Sequence, residues 1–123
     1  MSMPNPLRVL GWVAAALLTA ASAPALAANW ALCDLQVQVR EKQTSRNELQ
    51  TRVIDSQAQG QAECPQAGTA LSFRPETADY QSELPRRLWP QPGATVMVRY
   101  RYLDGQCKDR GPCRIQHYSP VLR

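Results

Sequence analysis

Thr95-Val96-Met97-Val98-Arg99-Tyr100-Arg101-Tyr102-Leu103 is the stretch from which the fold is read. Val96, Val98, Tyr100 and Tyr102 fall on one side of an extended chain, and Met97, Arg99, Arg101 and Leu103 on the other. This period of two marks a strand buried on one face. Gln91-Pro92-Gly93 turns the chain into the strand, and Asp104-Gly105 is a turn signal at its far end. Residues 113–118 are therefore expected to return as a hairpin partner, with Ile115 inward.

Upstream, Cys33, Leu35, Val37 and Val39 alternate with Asp34, Gln36, Gln38 and Arg40. After a polar turn over 43–47, Leu49, Thr51 and Val53 alternate with Gln50 and Arg52, the pattern of a hairpin partner. A loop over 60–68 precedes a third short strand, 70–74, with Leu71 and Phe73 inward. Pro75, Pro85, Pro90 and Pro92 then exclude a long helix or a central strand. At most one or two helical turns fit over 78–84. Three strands, a long connection and a two-strand hairpin predict an all-β domain with at most one short helix. It is either a small five-stranded, partly open barrel of the OB type or a small antiparallel sandwich or meander. The expected core is Leu35, Val37, Val39, Leu49, Val53, Leu71, Phe73, Val96, Val98 and Ile115, with Trp30, Leu88 and Trp89 around it.

The N-terminus reads as an export signal. Arg8 precedes an apolar run over 9–21, and Pro24 precedes Ala25-Leu26-Ala27, small residues where signal peptidase requires them. Residues 1–27 are expected to be cleaved, leaving 28–123 as a single domain of about 96 residues. The apolar run falls well short of the roughly 20 residues that cross a bilayer. With no twin-arginine pair, the general secretory route is expected, and the periplasm, or secretion, is the destination.

Export brings the chain to an oxidising compartment, where cysteines pair. Four cysteines allow three pairings. Cys33 opens the first strand and Cys64 lies just beyond the second, so a hairpin brings both to one end. Cys107 and Cys113 flank a short loop holding Gly111-Pro112. The predicted bridges are Cys33–Cys64 and Cys107–Cys113. A zinc site normally needs two close pairs, which this spacing does not supply.

Fourteen basic and ten acidic residues give a net charge of +4. Residues 28–85 hold eight acidic and five basic groups, and residues 86–123 hold eight basic and two acidic. So basic a half-chain points to an acidic partner or an anionic surface. Its densest features are Arg86-Arg87-Leu88-Trp89, stiffened by flanking prolines, and Arg99 and Arg101 on the outer side of the fourth strand. Arginine and tryptophan dominate binding hot spots, and a stiff loop loses little entropy on docking. Arg86, Arg87, Trp89, Arg99 and Arg101 are the expected contact residues. The plainer readings are that Arg99 and Arg101 are ordinary outward positions and that Trp89 plugs an end of the barrel.

Signals for catalysis are sparse. No phosphate-cradling glycine loop or metal-ligand run is present, all thiols are assigned to bridges, and neither Ser72 nor Ser119 has flanking glycines. Glu76, Asp79 and Glu83 have the spacing of a solvated helical turn. His117 is the one imidazole. The expected function is thus a non-enzymatic periplasmic binding module, without metal or cofactor, contacting an acidic protein or an anionic envelope polymer. Inhibition of an envelope-directed hydrolase such as a lysozyme or protease is the alternative. A small hydrolase using His117 is a third reading, and export argues against nucleic acid.

Overall fold

The alternating segments form five strands, β1 (Ala31–Val39), β2 (Leu49–Gln59), β3 (Ala70–Phe73), β4 (Thr95–Cys107) and β5 (Gly111–Pro120). The structure, a computed structural model, describes residues 29–122, so the expected signal over 1–27 lies outside the described residues. The strands lie in the order β3-β2-β1-β4-β5, each antiparallel to its neighbour. β3 and β5 therefore run in the same direction at the two ends of the sheet, which curls until they face each other. The result is a nearly closed barrel with OB-type strand order, and among the described residues no helix beyond one 3-10 turn at Arg86–Leu88.

The inward side of the alternation becomes the core. Cys33, Leu35, Val37, Val39, Leu49, Val53, Phe73, Val98, Tyr100 and Tyr102 are all buried. Thr51 joins them with its hydroxyl donated to the Leu71 carbonyl at 2.8 Å, which removes the cost of burying it. Rings link the strands across the interior. Phe73 stacks on Tyr118 at 4.8 Å between centroids, Tyr118 on Tyr100 at 4.6 Å, and Tyr100 meets Tyr102 at 5.5 Å.

Both disulfides form as predicted, with Cα–Cα distances of 5.9 Å for Cys33–Cys64 and 5.7 Å for Cys107–Cys113. The first fastens the 60–68 connection across one end of the barrel. There the Glu63 N–H donates to the Tyr102 hydroxyl at 2.7 Å. Arg114 lies over the Tyr102 ring at 3.9 Å and bonds Glu63 and both oxygens of Asp104. The guanidinium holds the Asp104 carboxyl below the usual carboxylate range.

Four expectations are corrected. Asp104-Gly105 is not a turn: β4 continues to Cys107 and the chain reverses at 108–110, so Gly111-Pro112 lies within β5. The fork between Asp104 and Arg114, paired across the ladder, keeps this turn-prone dipeptide extended. Ile115 is not core but 49% exposed. Register sets Arg114, Gln116 and Tyr118 opposite Asp104, Tyr102 and Tyr100, on the side of the sheet that carries the core, with Arg114 and Gln116 exposed at the barrel end and Ile115 and His117 on the outer face. Leu88 is 46% exposed rather than packed. Residues 78–84 form turns and bends instead of helix, bracketed by a bridge between Glu76 and Glu83.

β2 is also longer than its alternation indicated. Ile54 is an extra residue between Val53, paired with Val37, and Asp55, paired with Gln36. This bulge shifts the phase by one, so the period of two breaks while the ladder goes on to Gln59.

Replacing Cys33 and Cys64 by Ala should cost about 3–4 kcal/mol, and replacing Cys107 and Cys113 about 2–3 kcal/mol, from the loops they close. Urea unfolding of both double variants reads the difference, and the reverse ranking would contradict it. Asp104 also sets a pH dependence. Its carboxyl is lowered in the fold, so its stabilisation is present above the unfolded value of about 3.9 and lost as pH falls through the folded value. Asp104→Asn should lower the melting temperature at pH 7, with the deficit shrinking as pH falls below about 3.9; an equal deficit at every pH would refute the linkage.

Candidate functional site

The basic loop is built as a fixed turn. Pro85 caps the 3-10 turn with an extended backbone, its carbonyl accepting from the Leu88 N–H, and the Arg86 carbonyl accepts from the Trp89 N–H. Trp89 is half-buried against the core and donates its indole N–H to the Leu84 carbonyl at 3.0 Å. Arg86 lies 5.3 Å from the Trp89 ring and donates to the Arg46 carbonyl at 2.9 Å. Trp89 is thus a seated plug, while Arg87 and Leu88 point to solvent. Among the described residues neither Arg86 nor Arg87 forms an ion pair.

Gly93 fastens the same end. Its N–H donates to the Val39 carbonyl at φ +85°, in the left-handed region that glycine enters freely, and Glu41 packs where a Cβ would stand. Beside the turn, Pro90, Gln91, Thr95, Met97, Val121 and Leu122 line a shallow groove of about 610 Å³. Met97, Val121 and Leu122 are exposed apolar residues.

Arg99 and Arg101 occupy a different neighbourhood. Both lie on the outer face of β4, opposite Asp34 and Leu32 of β1. At a rise of about 3.3 Å per residue, Arg101 stands roughly 20 Å along β4 from the end that carries the turn. Arg99 reaches Asp34 through Nε at 3.5 Å, a loose surface pair. Arg101 is held between two rings, its guanidinium carbon 4.1 Å from both the Trp30 and Tyr80 centroids. Its Nε is buried without a partner, a cost the ring faces offset.

Tyr80 holds this position with φ +59°, in the left-handed region that costs a non-glycine residue about 1–2 kcal/mol. The surrounding turn enforces it. Thr77 accepts from the Tyr80 N–H, and Asp79 accepts from the Thr77 hydroxyl and the Gln81 N–H. Those bonds lower the Asp79 carboxyl, and burial raises the Tyr80 phenol.

His117 faces outward beside this stack, 5.4 Å from Trp30 and 5.8 Å from Tyr80 between ring centroids. Its Nδ1 lies 2.8 Å from Glu76 Oε2, and Glu76 Oε1 also accepts from the Tyr118 N–H. The Glu76 N–H donates to the Tyr118 carbonyl. Glu76 therefore satisfies both backbone groups of Tyr118 on the open edge of β5, and is not the solvated residue its spacing indicated. A carboxylate orienting an imidazole is half of a nucleophilic site. Among the described residues no hydroxyl bonds the other ring nitrogen, and no metal-ligating cluster is found.

The expected contact residues therefore separate into two groups, Arg86, Arg87 and Trp89 at one end and Arg99 and Arg101 on the outer face. Sequence reasoning gave Tyr80 no role, set Glu76 on a solvated turn and set Trp30 around the core, whereas Trp30 lies on the outer face against Arg101 and His117. Trp30 had a usable signal, since it shares the parity of Asp34 and so belongs outside β1. Tyr80 and Glu76 come from an irregular segment whose path no periodicity encodes. Neither a protein-family model, nor a curated protein, nor a solved structure matches this chain.

The two arginines of β4 should differ in stability. Arg101→Ala should cost about 1–2 kcal/mol through loss of the two-ring stack, and Arg99→Ala under about 1 kcal/mol. Urea unfolding measures both, and equal costs would remove the distinction.

Proposed function

We propose that this chain is an exported, periplasmic, non-enzymatic binding module that takes an acidic segment of an envelope protein on the Arg86–Leu88 turn and the groove beside it. The observation that carries the reading is the fixed backbone of the turn, which displays Arg87 and Leu88 outward while Trp89 is seated beneath. A segment displayed in one conformation loses little entropy on docking.

The charges support an acidic partner. Of the basic half, Arg114 is forked on Asp104, Arg99 is loosely paired with Asp34 through Nε alone and Arg101 is enclosed by rings, whereas Arg86 and Arg87, like Lys108 and Arg110 at the hairpin tip, have no carboxylate partner among the described residues. Exposed Leu88 and Met97 favour a protein over a polysaccharide, because they offer contact to apolar side chains. Two disulfides, and the absence among the described residues of any helix long and apolar enough to cross a membrane, are compatible with export.

The test is capture from envelope extract by the oxidised protein and by an Arg86→Glu/Arg87→Glu variant shown to be folded by circular dichroism. An acidic protein retained by the wild type, released by raised salt and lost by the variant is the expected result. Equal retention by both, retention of a polysaccharide only, or no retention by either would overturn the reading. Suppression of a lysozyme or protease at stoichiometric protein would replace it with the inhibitor function.

A further inference from the structure

A second concavity, of about 300 Å³, lies on the outer face between the 75–84 segment and the chain that follows β5. Ala78, Tyr80 and Leu84 wall one side, and Pro120, Val121 and Leu122 the other. Arg99 enters it from β4. The Arg99 side chain is 56% exposed, and only its Nε is engaged, by Asp34 at 3.5 Å. Among the described residues its two η nitrogens have no protein partner, and these form the planar fork that pairs with a carboxylate.

The carboxylate that lines this pocket is already engaged. Glu76 accepts from the Tyr118 N–H and lies against His117 Nδ1 with both oxygens. Arg99 is therefore the cation lining a mainly apolar pocket, whose other polar lining is Glu76, Thr77 and Ser119, and the volume suits a small ligand. Tyr80, at the lip, is the residue held in a left-handed backbone, the kind of local strain that clusters at ligand clamps.

We infer that this pocket binds a small carboxylate carrying a short apolar tail, with the carboxylate on the Arg99 guanidinium and the tail between the two apolar walls. Such a group is supplied either by a free short-chain acid or by the C-terminal residue of a peptide. The site lies apart from the Arg86–Leu88 turn, sharing Val121 and Leu122 with the groove beside that turn, and does not depend on the partner proposed there.

Hexanoate is the probe, titrated into the oxidised protein and followed by amide chemical shifts. The expected result is saturable binding with shifts at 76–84, 99 and 119–122, and binding of hexan-1-ol and acetate each about ten-fold weaker. Arg99→Gln should weaken hexanoate about ten-fold, and Ala78→Trp, at an exposed wall position, should abolish binding by filling the pocket. A peptide ending in leucine that binds more tightly than hexanoate, and loses this on amidation, assigns the peptide source; tighter binding of hexanoate assigns the free acid. No shift at these residues by about 10 mM hexanoate, or unchanged binding by both folded variants, would overturn the inference. Arg87→Glu should leave hexanoate binding unchanged, so failure of this site and failure of the partner surface are distinguishable.

Discussion

The stack of Phe73, Tyr118 and Tyr100 closes the barrel, because β3 and β5 face each other with no ladder pairing to join them. β5 offers few aliphatic side chains to the interior; on the side it shares with Tyr100 and Tyr102, Tyr118 packs against the core, while Arg114 and Gln116 are exposed and bond a carboxylate and a tyrosine. Gln116 donates to the Tyr100 hydroxyl at 2.8 Å, and Arg114 covers Tyr102. Without the rings, β5 would have no apolar reason to lie over the barrel mouth. Burial, with its neighbour Tyr100, raises the Tyr118 phenol, which stays neutral inside the core.

From that closure follows the outer face. Once Tyr100 and Tyr102 turn inward, Arg99 and Arg101 must turn outward, and β5 register brings His117 beside Arg101. The proline-punctuated 75–84 segment then crosses this face, held by Glu76 on the β5 edge at one end and by Leu84 at the other. The Leu84 N–H donates to the Pro75 carbonyl, and its own carbonyl accepts from Trp89. One irregular segment thus encloses Arg101, walls the Arg99 pocket and seats the tryptophan beneath the basic turn.

Charge that is conspicuous in the sequence is largely neutralised within the fold. Arg114 is shared between Asp104 and Glu63, Arg99 leans on Asp34, and Arg101 is sheathed in aromatic faces. What remains open lies in the η nitrogens of Arg99 on the outer face and, at the two ends, in the Arg86–Leu88 turn and in Lys108 and Arg110 at the hairpin tip. The binding surface proposed for this protein is accordingly smaller than its basic half would indicate.

The sequence by itself determined the strands, the inward sets of β1 and β4, and the disulfide pairs, because side-chain alternation and hairpin geometry are local properties of an extended chain. The tertiary structure decided what depends on register. The bulge at Ile54 hid half of β2, the Asp104–Arg114 fork overrode a turn signal, and pairing with β4 sent Ile115 outward and set Gln116 on the side of Tyr100 and Tyr102. The sites lay further from view. Parity could place Trp30 outside β1, but Tyr80 reaches Arg101, and Glu76 reaches His117, only through the path of a segment with no period. That path is fixed by hydrogen bonds to residues some forty positions away.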